Sequence, residues 1–123
     1  MADFTIKKKA LNVDMQIEVG ATFDPVLTYS DADGNPIDNS GWTALLEFRD
    51  PEDNSVLNTL SEADGIILGG ADGNITFDIT KDDNIAYTWP NNAIYDLFLN
   101  DGTKDYRIIF GKASLIDRVT EVP

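Results

Sequence analysis

The stretch that decides the fold is residues 93–111, AIYDLFLNDGTKDYRIIFG, because it encodes two strands and the turn that joins them. In its first half, apolar side chains recur at the period of two that is typical of a pleated strand, at Ala93, Tyr95, Leu97 and Leu99. The second half predicts a shared face for Tyr106, Ile108 and Phe110. Asp101-Gly102 lies between the halves and tolerates the positive φ angles of tight hairpin turns. Since Phe98 and Ile109 make the second face apolar too, we expect this hairpin at the centre of a sheet.

Outward from this hairpin, short β-prone segments recur at intervals of about ten residues. They lie at residues 13–19, 23–29, 42–49, 56–60, 65–68, 74–79 and 112–119. One capped helical turn is predicted after Thr80, whose hydroxyl can accept an N–H at a helix start. The pattern predicts an all-β fold, an immunoglobulin-like two-sheet antiparallel β-sandwich of eight or nine short strands with one short helical turn. A chain of 123 residues suits one domain, which we place at residues 13–123.

Composition and charge exclude several classes of function. The chain has no cysteine and no histidine, so it lacks thiolate nucleophiles, imidazole bases and the usual transition-metal ligands. Its net charge of −13 repels nucleic-acid phosphates and anionic lipid. No apolar run has the length of a membrane span, and the first ten residues lack the apolar core of a signal peptide. Most enzyme classes therefore lose their main catalytic groups, and we expect no cofactor, no metal, no nucleic-acid or membrane partner, and no export.

The N-terminal residues differ in charge from the rest of the chain. Residues 1–12 carry three lysines and one aspartate, a net of +2, which leaves −15 for residues 13–123. We predict a basic arm over residues 1–12 that contacts an acidic neighbouring subunit, because β-prone apolar residues there could also pair with a sheet edge. The candidate interface residues are Phe4, Ile6, Lys7, Lys8 and Lys9. The alternatives are a solvated tail or a first strand folded onto its own sheet.

Three other chemical interpretations are open. Asp31, Asp33 and Asn35 have the first ligand spacings of a calcium loop, but Pro36 and Trp42 replace its required glycine and glutamate, which favours an ordinary turn. Tyr87 and Trp89 could form a stacking platform for a carbohydrate beside acidic loops. The many aspartates could supply a hydrolase carboxylate pair, although aspartates are ordinary residues of turns.

The order of turn and strand motifs resembles a known family. The motifs are Thr22-Phe23, Leu27 to Tyr29, Asp33 to Asp38, Gly41-Trp42-Thr43, Phe48-Arg49-Asp50, Gly65-Ile66, Asp72 to Phe77, Tyr95-Asp96-Leu97 and Gly111-Lys112. The chain is similar to small immunoglobulin-like β-sandwich proteins and modules encoded among the virion structural genes of tailed bacteriophages and prophages, including N-terminal modules of baseplate proteins. The lysine arm and the turn Trp89-Pro90-Asn91-Asn92 depart from the family pattern.

The resemblance implies a non-enzymatic virion component of the tail, neck, baseplate or capsid decoration. Its partners would then be other virion proteins, with repeated copies or a homo-oligomer in the assembly. The resemblance supplies no catalytic residue. The alternative function is a ligand-binding or host-surface carbohydrate-binding β-sandwich module, with Tyr87 and Trp89 as its platform.

Overall fold

The computed structural model describes residues 4–7 and 9–117, and it confirms the predicted all-β fold of two sheets. Ten strands form the sheets, compared with the eight or nine expected. They are β1 (Phe4–Lys7), β2 (Leu11–Asn12), β3 (Met15–Glu18), β4 (Val26–Ser30), β5 (Thr43–Arg49), β6 (Val56–Ser61), β7 (Ile66–Leu68), β8 (Asn74–Phe77), β9 (Ala93–Asn100) and β10 (Asp105–Ile116). A 3-10 turn lies at Gly70–Asp72 and one helical turn, α1, at Lys81–Asn84. In the described part of the chain, no helix has the length and apolar character needed to cross a membrane.

The hairpin of β9 and β10 lies inside the larger sheet, as its two apolar faces predicted. The larger sheet has the order β2-β10-β9-β5-β6, with β3 also paired to β10, and the smaller sheet has the order β1-β4-β8-β7. The sheets are not purely antiparallel as expected, because β1 is parallel to β4 and both β2 and β3 are parallel to β10. The long β10 also absorbs the separate final strand that was predicted to begin at Lys112.

The N-terminal segment differs from the predicted arm over residues 1–12. Phe4–Lys7 pairs with β4 at an edge of the smaller sheet, and Leu11–Asn12 pairs with β10 at an edge of the larger sheet. Main-chain pairing therefore begins before residue 13, and the chain passes from one sheet to the other between the two strands. This pairing supplies hydrogen-bond partners to an edge of each sheet.

The core lies between the two sheets and is continuous. From the larger sheet, Leu46, Phe48 and Leu97 are fully buried, and from the smaller sheet Leu27 and Phe77 meet them. Each of these residues alternates with a more exposed neighbour along its strand. The period of two in the sequence is therefore the period of burial.

A register shift in β10 corrects the predicted face of its second half. The pairing with β9 shifts between Arg107 and Ile109, so Ile108 and Ile109 are both fully buried. Beyond this bulge the alternation is inverted, since an extra residue moves every later side chain to the opposite face. Phe110 therefore leaves the core face on which it was predicted and lies half-buried on the outside.

Local polar contacts explain the predicted turns. The Thr80 hydroxyl accepts a hydrogen bond from the Asp83 amide at 3.2 Å, which confirms the capped helical turn. Asn84 in that turn is fully buried and accepts from the Gly20 amide at 2.7 Å, which ties α1 to the end of β3. The Asp31 carboxylate accepts from the amides of Asp33 and Asn35 at 3.0 and 2.9 Å, so backbone donors of its own turn occupy it.

Candidate interaction face

The outer side of the larger sheet carries an ordered set of side chains that we call the outer face. Cross-strand pairing aligns residues of β5, β9 and β10 in four rows. The rows are Thr43, Asn100 and Asp105; Leu45, Phe98 and Arg107; Glu47, Asp96 and Phe110; and Arg49, Ile94 and Lys112. Apolar and charged residues of both signs thus share one surface, directly behind the buried residues of the same strands.

Two acidic residues lie opposite each other at the centre of the outer face. Glu47 and Asp96 are cross-strand partners, an arrangement that is unfavourable for like charges. Two arginines from the neighbouring rows offset this repulsion. Arg49 contacts the Glu47 carboxylate at 2.8 Å, and Arg107 lies 3.9 Å from Asp96. The four charges at the centre of the outer face therefore form two pairs.

Apolar side chains lie exposed between these charges. Leu45 is 49% exposed and Ile94 is 40% exposed, although both belong to the two central strands of the sheet. The Arg107 guanidinium lies 3.8 Å from the centre of the Phe110 ring, a cation–π contact. Two shallow clefts of about 460 and 730 Å³ cover this surface and share Glu47 and Asp96 in their linings. The arrangement suits contact with another surface, since it presents aromatic, aliphatic and arginine side chains together.

The N-terminal interface candidates do not lie on the outer face. Phe4, Ile6 and Lys7 belong to β1, which is an edge strand of the smaller sheet. Lys9 is exposed, and Lys8 lies outside the described residues. Their role in contacts between subunits stays a prediction, and the position of β1 at an edge among the described strands allows it, because an edge strand can pair with another chain.

The two aromatic residues of the predicted sugar platform pack together at one end of the sandwich. Tyr87 stacks on Trp89 with ring centres 5.7 Å apart, and Trp89 packs on the buried Phe48 at 4.9 Å. The Trp89 indole N–H donates to the Asn58 side-chain oxygen at 2.6 Å. Trp89 is thus engaged by protein groups on several sides, which leaves Tyr87 as the outermost ring of the stack.

Acidic residues surround the Tyr87 side of this aromatic stack. A cleft of about 240 Å³ is lined by Tyr87 together with Asp64, Asp78, Asp82 and Asp83. Burial, and to a smaller extent the charges of Asp83 and Asp64, raise the pKa of Tyr87 to about 12. Among the described residues, no group of three or more histidine, cysteine, aspartate or glutamate side chains is arranged to hold a metal ion.

Sequence reasoning did not identify the outer face. Its residues belong to the alternation of residues 93–111, in which Ile94 and Asp96 fall on the same strand face as Phe98. The available signal was the mixture of apolar and charged residues at these positions. That Phe110 and Arg107 lie beside these residues could be seen only from the bulge in β10 and from the order of the strands in the sheet.

Comparison with known proteins gives a fold and no family. No protein-family model and no curated protein sequence matches this chain. Among solved structures, the chain is similar to the N-terminal domain of phage TP901-1 ORF48, with a TM-score of 0.52 and 13% sequence identity. The similarity covers 94% of this chain and 98% of that one, so it extends over the whole two-sheet fold.

Proposed function

We propose that this protein is a non-enzymatic structural component of a tailed bacteriophage particle and acts through contacts with other virion proteins. The observation that carries the proposal is the fold shared over 98% of a phage protein domain. The order of sequence motifs that resembles virion modules supports the same conclusion. A tail, neck, baseplate or capsid-decoration position is compatible with such a module.

The surface of the protein is consistent with this function. The outer face offers exposed apolar and arginine side chains on a rigid sheet, and β1 and β6 provide sheet edges. Rigid sheets with exposed edges and mixed faces are suited to repeated protein contacts, because the strands hold the contact residues in place. The function proposed here needs no catalytic group.

The test is the presence of the protein in purified particles. Particles from a host that carries the gene are purified by density gradient and analysed by mass spectrometry and by labelling with an antibody to this protein. We expect a constant copy number per particle and a label at one position. Detection only in the soluble lysate, with none in particles that contain their other structural proteins, would contradict the proposal.

A second candidate function, binding of a carbohydrate, is supported by Tyr87 alone. Its ring is half-buried and borders the acidic cleft on one side and, on the other, a cleft of about 300 Å³ that contains Asn91 and Asn92. Aromatic rings can stack on sugars, and neighbouring carboxylate and amide oxygens can accept hydrogen bonds from the sugar hydroxyls. A glycan array with wild-type protein and Tyr87→Ala separates the two functions, since a structural subunit binds no glycan in either form.

A further inference from the structure

We propose that the outer face is a self-association surface, on which a second copy of this chain packs with the order of its rows reversed. This inference goes beyond the proposed function, because it can be tested on purified protein whether or not the chain belongs to a particle. It rests on the distribution of charge and on the opposite charges of the rows.

The outer face is the nearly neutral part of a strongly acidic molecule. Residues 9–117 contain 20 acidic and 6 basic side chains. The two clefts of the outer face are lined by four acidic and three basic residues, which gives a net charge of −1. They are Asp14, Glu47, Asp96, Asp105, Arg49, Arg107 and Lys112. The other 16 acidic and 3 basic side chains of this range carry −13. Two copies repel each other in orientations that bring their acidic parts together, and the outer face is a surface on which they can approach with little of that repulsion.

A basic partner would favour other parts of the surface. A protein selected for attraction to an acidic body would bind where the negative charge is concentrated, for example near the cleft of Asp64, Asp78, Asp82 and Asp83. The outer face instead combines exposed apolar groups with charges of both signs. Such a composition is suited to an isologous contact, in which the same patch must complement itself.

The rows of the outer face are opposite in charge when their order is reversed, because the first and fourth rows carry −1 and +2 and the second and third rows carry +1 and −2. A two-fold axis that runs across the strands between the second and third rows places the first row of one copy over the fourth row of the other. Asp105 of one copy then meets Lys112 of the other, and Arg107 of one copy meets Phe110 of the other. Each contact occurs twice because of the symmetry. Among the described residues, Lys112 has no ion-pair partner within its own chain, so its ammonium group is available.

The outer face is small for a dimer interface. Its three strands, β5, β9 and β10, spaced by about 4.8 Å, and about seven residues of about 3.4 Å give a planar area of roughly 340 Å². Two copies would bury roughly 700 Å², which is below the standard size for specific interfaces and typical of a weak association. The expected association is therefore that of a small interface, strengthened in a particle by the neighbouring contacts.

The first experiment measures association and locates it. Sedimentation velocity from about 1 µM to about 1 mM should show a monomer–dimer equilibrium for the wild type. Leu45→Glu should abolish the dimer, since it places a charge in the contact. The matched control is Ile67→Glu, which makes the same type of change at a residue that is 53% exposed on the smaller sheet and should leave the dimer intact. Circular dichroism verifies that both variants are folded.

The second experiment tests the reversed order of the rows. Asp105→Lys and Lys112→Glu should each weaken dimerisation by about tenfold, equivalent to roughly 1.4 kcal/mol. The double variant should recover most of the affinity, because the pair is restored with opposite signs. Recovery in the double variant would be specific to an Asp105–Lys112 contact and would not follow from a general change of net charge.

The absence of cysteine in this chain allows a direct measurement of distance. A nitroxide label on Ile94→Cys should give a short distance between copies, and a label on Ile67→Cys should give a longer one. The inference is overturned if the wild type is monomeric at every concentration. It is equally overturned if Ile67→Glu removes the dimer while Leu45→Glu does not, or if the double charge variant shows no recovery.

Discussion

The two sides of the larger sheet use the same strands for different purposes. On the inner side, Leu46 and Leu97 are fully buried against the smaller sheet, and on the outer side Leu45 and Ile94 remain substantially exposed. Leu45 and Leu46 are adjacent residues of the same type, yet one belongs to the core and the other to a surface. The comparison shows that residue type alone does not assign a function, since the face of the strand decides it.

The strongest test of this comparison is a pair of identical substitutions on the two sides. Leu46→Ala should lower the free energy of unfolding by about 2–5 kcal/mol, because it leaves a cavity in a packed core. Leu45→Ala should change the stability of the monomer by no more than about 0.5 kcal/mol. Denaturant unfolding at low protein concentration measures both. Equal losses for the two variants would show that the outer side is also covered within the monomer.

The next test concerns the N-terminal segment where it runs beside β10, between β2 and β3. Gly111 is the cross-strand partner of Tyr95, and a Cβ atom at this position would collide with the carbonyl oxygen of Val13. Because that oxygen belongs to the backbone, we expect Gly111→Ala to cost about 1–3 kcal/mol. Ser114→Ala on the same strand is the control and should be nearly neutral. Thermal unfolding of both variants checks this, and an unchanged midpoint for Gly111→Ala would mean that the segment can move away.

A third test uses Tyr95, which joins the inner side of the larger sheet to the N-terminal segment. The Tyr95 hydroxyl donates to the Val13 carbonyl, and burial, with a smaller effect of Asp14, raises the pKa of Tyr95 well above its ordinary value. Tyr95→Phe removes the hydrogen bond and should cost about 0.5–1.5 kcal/mol at neutral pH. Urea unfolding at pH 7 measures this difference, and no loss would show that water replaces the hydroxyl.

The same residue predicts how stability depends on pH. Above pH 10 the unfolded chain releases its tyrosine protons while folded Tyr95 and Tyr87 retain theirs, so the folded state binds more protons and stability falls as pH rises. The stability that these two protonated tyrosines contribute is fully present below about pH 10 and is lost as the pH rises toward and beyond 12. Tyr95→Phe should reduce the steepness of the alkaline loss. An alkaline loss as steep as that of the wild type would assign the effect to the other tyrosines.

The smallest effect is expected for the charges of the outer side. Arg107→Gln removes an ion pair that is about half exposed, and such pairs contribute roughly 0–1 kcal/mol. The stability of the monomer should therefore change little, with a slight dependence on salt. Differential scanning calorimetry at two salt concentrations measures it. A loss comparable to that of Leu46→Ala would mean that the outer face supports the fold and is not reserved for contacts.

Local patterns in the sequence were sufficient to predict most strands and the turns between them. The alternation of Ala93, Tyr95, Leu97 and Leu99 matches the buried side of β9, and Asp101-Gly102 lies in the turn before β10. Thr80 caps its helical turn as expected. These features depend on residues that are close in the chain, because apolar residue types recur at every second position of a strand with one buried face.

Other features depend on partners that are distant in the chain. In Arg107-Ile108-Ile109-Phe110, consecutive apolar residues fit two registers, and the pairing of Ile109 with Leu97 selects the one with a bulge. In the same way, the partners of β1 and β2 are strands more than twenty residues away, so their parallel pairing left no local pattern to recognise.

The sequence by itself determined that this chain is an acidic all-β protein, where its main hairpin lies and which side of most strands is apolar. Only the tertiary structure decided that Glu47 meets Asp96, that Arg107 covers Phe110 and that these residues form one nearly neutral face. The physical reason is that alternation is a property of one strand, whereas a surface is a property of neighbouring strands. Their order and register are set by packing between sheets, which no single segment encodes.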